Sequence, residues 1–118
     1  MKLVDTSVWI DFWRGSRTVV DLAQLLDDGE VLMHPWVLGE IALGNLGAKR
    51  TAILRDLAVL PAAPVALHVE VLTMIDRHAL AGSGLGWVDV HLLASAKLSS
   101  ADLWTSDQRL DRAWTALR

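Results

Sequence analysis

Leu3-Val4 is a short apolar run that stops on an acid, Asp5, and passes through Thr6 and Ser7 into a second apolar stretch, Val8 to Trp13. A strand that ends on a carboxylate and turns into a helix puts that carboxylate at the rim of a sheet, where open α/β sheets bind their ligands. The unit recurs along the chain. Residues 2–5, 31–33, 59–60 and 103–105 read as short strands, because each is a brief apolar run bounded by turn residues. Between them lie helical patterns. Val8 to Trp13 begins one helix, interrupted near Gly15. Thr18 is a candidate N-cap with Asp21 three residues on, and Val19, Leu22, Ala23 and Leu26 follow one helix face. Asp27-Asp28-Gly29 ends that helix, with Gly29 suited to a left-handed cap. Pro35 suits the first turn of a helix over about 36–45. Further helices are expected over about 48–57, 65–79, 87–98 and 109–116.

Strands alternating with helices imply parallel strands joined by right-handed crossovers, an α/β architecture. The carboxyl ends of the first and last strands then share one edge, so Asp5 and Asp107 are expected to be neighbours across a hundred residues of chain. Two more acids occupy odd positions. Glu40 interrupts an otherwise apolar helix, among Trp36, Val37, Leu38, Ile41 and Ala42. Asp89 lies in the first turn of a helix that is apolar almost all round, where the helix dipole favours a carboxylate. Each acid has a purely local role open to it. Asp5 could cap the helix after it, and Glu40 could pair with an arginine or face solvent. Asp89 could satisfy backbone donors, and Asp107 could be a turn or cap residue. Taken together they suggest a centre for a hard cation, Mg²⁺ or Mn²⁺, which prefers oxygen ligands. Without a cation, four crowded carboxylates would repel one another, raise their pKa values and destabilise the fold.

The 118 residues suit one domain, 1–118, with one core. No cysteine is present, which excludes disulfides and thiolate metal sites. No apolar run is long enough for a membrane helix. Asp5 and Asp11 stand where an export signal would need its apolar segment, so a cytoplasmic location is expected. Hydrophobic residues make up 53% of the chain, and the mean hydropathy of +0.34 is high for a soluble protein. That excess is either core or an apolar interface. The net charge of −3 excludes a general basic coat for nucleic acid, but not an acid-centred nucleic-acid enzyme rimmed by arginines. Arg14, Arg17, Lys49, Arg50, Arg109 and Arg112 are the candidate phosphate contacts, with solvated surface charge the competing role for each. Six tryptophans beside one Phe and no Tyr read first as packing, with base stacking the sharper alternative. His34, His68, His78 and His91 show no paired ligand spacing.

The run from Leu3 to Asp11, LVDTSVWID, resembles the opening motif of PIN-domain ribonucleases, in particular the VapC toxins. Glu40 in Val37-Leu38-Gly39-Glu40-Ile41 matches that family's second acid. Asp89 after Gly86-Trp87-Val88 matches its third, and Asp107 in Thr105-Ser106-Asp107 its fourth. The resemblance spans nearly the whole chain, in order. It implies a three-layer α/β/α sandwich with a short parallel sheet, here of about four strands. It also implies a Mg²⁺- or Mn²⁺-dependent endoribonuclease that uses activated water and leaves a 5′-phosphate and a 3′-hydroxyl. Asp5, Glu40, Asp89 and Asp107 would bind metal and position water. Thr6 or Ser7, Thr6 the better match by position, would support them, with Asp11 structural. The implied partners are RNA, a small antitoxin that holds the toxin inactive, and a second copy of the chain. Three other functions compete. A non-catalytic RNA- or partner-binding module could use the same fold. A phosphoacceptor domain fits less well, because it wants paired acids near the first strand and a lysine at a late strand end, whereas Lys97 falls inside a predicted helix. A haloacid-dehalogenase-like phosphatase would want an acid where Ser7 stands.

Overall fold

In the computed structural model the backbone is described for residues 1–118 and the side chains for all but Thr18 and Val19. Three short strands, β1 (Lys2–Val4), β2 (Val31–Leu32) and β3 (Asp102–Trp104), form a parallel sheet in the order β2-β1-β3. Lys2 and Leu3 pair with Val31 and Leu32 on one side. Lys2, Leu3 and Val4 pair with Asp102, Leu103 and Trp104 on the other. The central position of β1 explains its composition: Leu3 and Val4 are fully buried, as a strand covered on both faces requires.

The crossovers carry α1 (Thr6–Trp13) and α2 (Thr18–Asp27) between β1 and β2. Between β2 and β3 run α3 (Pro35–Leu43), a 3₁₀ turn (Gly47–Lys49), α4 (Arg50–Ala58), α5 (His68–Arg77) and α6 (Trp87–Ser99), and α7 (Gln108–Leu117) closes the chain. The chain leaves β1 towards β2 and then returns past β1 to β3. Right-handed crossovers in opposite directions place helices on both faces of the sheet, which gives the α/β/α sandwich. Helix α6 is its central member, buried continuously from Val90 to Ala96. Leu92, Leu93 and Ala96 join Leu3, Val4, Val8, Trp9 and Leu103 in the main core. No helix among the described residues is long and apolar enough to cross a membrane.

The sheet has three strands, not about four. The expected strand at 59–60 is absent: Val59 caps α4 and Leu60 turns back onto it. A single parallel bridge, Met33 to Ala62, stands in its place. The Met33 N–H donates to the Pro61 carbonyl at 2.8 Å and the Met33 carbonyl accepts from Ala63 at 3.0 Å. Pro61 and Pro35 have no N–H to donate, so pairing cannot extend either way. The helix expected over 65–79 is shorter, starting only at His68 after Pro64, while α1 starts two residues earlier than expected because Asp5 caps it. Gly29 has a φ of +67°, the left-handed turn expected of it. The proposed cap by the Thr18 side chain lies outside the described residues.

Candidate active site

The strand edge is built from three helix starts. Asp5 directly follows β1 and caps α1: its Oδ1 accepts from the Thr6 N–H at 2.8 Å. Asp107 follows β3 and caps α7, its Oδ1 accepting from Arg109 at 2.8 Å and Leu110 at 3.2 Å. Asp89, in the first turn of α6, reaches back with Oδ2 to the Gly86 N–H at 2.9 Å. The local roles open to these acids in the sequence are therefore real, yet they use one oxygen of Asp89 and one of Asp107. The other two, Oδ1 of Asp89 and Oδ2 of Asp107, accept no hydrogen bond among the described residues. Three positive helix ends meeting at one edge also explain how acids can crowd there at all.

Thr105 joins the first and last strands. Its hydroxyl donates to Asp5 Oδ2 at 2.7 Å and accepts from the Asp107 N–H at 3.0 Å. Asp5 and Asp107 are thus bridged by one side chain. Ser7 reinforces the link, donating to Asp5 Oδ2 at 2.8 Å and accepting from the Ser106 N–H at 3.0 Å. Asp5 is buried with both oxygens engaged. Asp11 accepts from the Ser106 hydroxyl at 2.6 Å, so it braces the loop that carries Asp107. Glu40 is tethered to this group from α3: its Oε1 accepts from the Thr6 hydroxyl at 2.7 Å. Thr6 and Ser7 consequently do different work, one holding Glu40 and the other Asp5.

Burial and, after it, mutual repulsion act on Asp89. Its carboxyl is held above the usual carboxylate range, first by burial and then by the negative charges of Asp5 and Asp107, against the Gly86 hydrogen bond and Arg109, which pull it down. Among the described residues no three His, Asp or Glu side chains close around a common point to enclose an ion by themselves. The four acids form an open edge of hard oxygen donors. Such an edge suits an ion that keeps most of its water and takes one or two carboxylates.

The basic residues separate into groups. Arg14 and Lys49 line a cleft of about 480 Å³ beside Thr6 and Glu40, together with Ile10 and Trp13. Arg109 does not line that cleft, and its charge acts on Asp89. Arg112 turns back to the Gln108 carbonyl of its own helix at 3.3 Å. Arg17 and Arg50 are exposed and do not line that cleft. Trp9 and Trp114 are core side chains, whereas Trp13 and Trp87 are 37% and 39% exposed. His34 and His91 are buried beside Trp36, not at the acid edge. Thr105 and Ser106 were missed as site residues in the sequence. Hydroxyls directly before a strand-end acid are the pattern that points to them, since Thr6 and Ser7 show its mirror image after Asp5.

A short parallel sheet with acids gathered at its carboxyl edge is the architecture of the PIN domain, and the PIN-domain pattern matches residues 2–114. The chain belongs to the PIN-domain family, in its VapC-type branch. It is 46% identical over 114 residues to a protein named ribonuclease VapC32 from Mycobacterium tuberculosis, in strains CDC 1551 and H37Rv alike. That match covers 96% of this chain and 90% of the relative.

Proposed function

We propose that this chain, as one domain, is a divalent-metal-dependent endoribonuclease and the toxin of a toxin–antitoxin pair. The observation that carries the reading is the meeting of Asp5, Asp89 and Asp107 at one strand edge, where burial, and then the charges of Asp5 and Asp107, raise the pKa of Asp89. The 46% identity to a relative named as a ribonuclease supports the same activity. Asp89 Oδ1 and Asp107 Oδ2 are the oxygens available to hold Mg²⁺ or Mn²⁺, with Asp5 and Glu40 completing the negative field. When bound, the ion supplies Lewis-acid activation of water and neutralises charge on the phosphate. The chain's own contribution is positional. Thr105 and Ser7 fix the Asp5 carboxylate, and Thr6 holds Glu40 over the cleft, from which it can orient water or accept its proton. The substrate is RNA, entering along the cleft of Arg14 and Lys49. The toxin role brings a small antitoxin, a homodimer and a cytoplasmic setting with it.

Asp5→Asn tests the reading. The variant is expected to lose cleavage of a single-stranded RNA in Mg²⁺ while remaining folded, because an amide oxygen can still cap α1. Metal-dependent cleavage at the wild-type rate by that variant would end the assignment. Inducing the wild-type chain in cells, but not the variant, is expected to arrest growth and create new RNA 5′ ends.

A further inference from the structure

The fold holds Arg109, beside the acids, at both its backbone and its guanidinium end. Its backbone N–H donates to Asp107 Oδ1 at 2.8 Å, and its Nη1 donates to the Gly84 carbonyl at 3.1 Å. The loop from Ser83 to Gly86 thus serves as a rest for this side chain. Gly84 has a φ of +83°, and a Cβ placed on it would lie 2.8 Å from Nη1, 3.1 Å from Cζ and 3.3 Å from Cδ of Arg109. Only glycine leaves the guanidinium where it is. The brace is a neutral carbonyl, and among the described residues no carboxylate forms an ion pair with Arg109. The side chain therefore keeps its full charge and its remaining N–H donors while exposed beside Asp89 and Asp107.

A polyanion approaching four carboxylates meets repulsion at short range, and a fixed, unneutralised guanidinium offsets it there. Its planar fork matches two oxygens of a phosphate, which a lysine cannot do. We propose that Arg109, braced on the Gly84 carbonyl, is a substrate-binding residue that engages a phosphodiester oxygen of the RNA at the Asp89–Asp107 end of the site. Arg14 and Lys49 serve the Glu40 end, so the RNA backbone spans the acid edge between two cationic holds. Gly84 is the positioning residue that keeps the first hold aimed. This inference rests on the ribonuclease reading above.

The experiment compares Arg109→Gln, Gly84→Ala, the double variant and Gly82→Ala, each checked for folding by its thermal midpoint. Gly82 shares the loop and has a φ of +75°, but a Cβ there meets nothing within 4 Å, so its variant controls for loop strain. Arg109→Gln is expected to lower kcat/KM for a single-stranded RNA by roughly ten- to a hundredfold, on the scale of one lost hydrogen bond between charged groups. Gly84→Ala should lower it several-fold, with no further loss in the double variant, while Gly82→Ala stays within about twofold of wild type. In an Asp5→Asn background, Arg109→Gln should reduce the slope of log affinity against log salt for the same RNA by about one. Wild-type kcat/KM in Arg109→Gln, or losses that multiply independently in the double variant, would overturn the proposal. An unchanged salt slope overturns it as well. If the wild-type chain does not cleave RNA, the ribonuclease reading fails while the salt slope still decides the arginine contact.

Discussion

His34 shows how much one residue can be asked to do. Its Nδ1 accepts from the Trp36 N–H at 3.1 Å and so caps α3, the helix that carries Glu40. The ring is fully buried, its Nε2 has no partner, and it faces His91 with ring centroids 6.5 Å apart. Burial, followed by the charge of His91, lowers its pKa from 6.5 to about 4. Protonation would need the lone pair that forms the cap. The unfolded chain takes up this proton below about 6.5 and the folded chain only near 4, so stability is lost as pH falls through that window, on the order of 3 kcal/mol in all. Unfolding free energies measured between pH 7 and 4 should fall accordingly. His34→Asn, which can still cap, should flatten the slope by His34's share, and an unaltered slope would show that the proton goes elsewhere. Thr105 is the other residue with two tasks. Thr105→Val removes a donor to the buried Asp5 and an acceptor for Asp107, and is expected to cost about 1–3 kcal/mol in denaturant unfolding. Neither role is legible locally, because a histidine cap and a hydroxyl bridge both depend on what the fold places opposite.

At the level of elements, the helices and three of the four expected strands followed from the residue pattern, and boundaries did not. Helix α6 was legible as a buried central helix because apolar residues occupy all its faces. Leu92 is fully buried within it, so Leu92→Ala should lower stability by about 2–5 kcal/mol, read as a lower denaturant midpoint. A loss under 1 kcal/mol would mean that α6 is not the packing centre. The expected strand at 59–60 failed for a reason visible only in three dimensions. Its apolar pair is present, but Pro61 and Pro35 allow only a single bridge, from Met33 to Ala62. The apolar excess is divided in the same way. Leu3, Val37 and Leu93 went to the core, while Leu43, Val59 and Leu67 are 90%, 79% and 66% exposed, a division that no residue type announces.

Over the whole molecule the folded state carries an electrostatic load that a cation should relieve. Asp89 has a raised pKa, so its ionised form is disfavoured by folding at neutral pH and the cost fades as pH falls through that raised value. Adding Mg²⁺ to the metal-free protein should raise the thermal midpoint. The stabilisation would reach about 2.7 kcal/mol at a hundred times the dissociation constant, and EDTA should reverse it. Asp89→Asn should raise the metal-free midpoint and blunt the response; a response as large as wild type would place the ion elsewhere. The sequence by itself determined the alternation of strand and helix, the acids at element ends and the order that marks a PIN domain, because these are local patterns of polarity and turn chemistry. Only the tertiary structure decided that Thr105 bridges Asp5 to Asp107 and that repulsion falls on Asp89. It also decided that Gly84 carries Arg109. Each of these is a contact between side chains far apart in the chain or of a side chain with a distant carbonyl, and the sheet has to form before either partner is in reach.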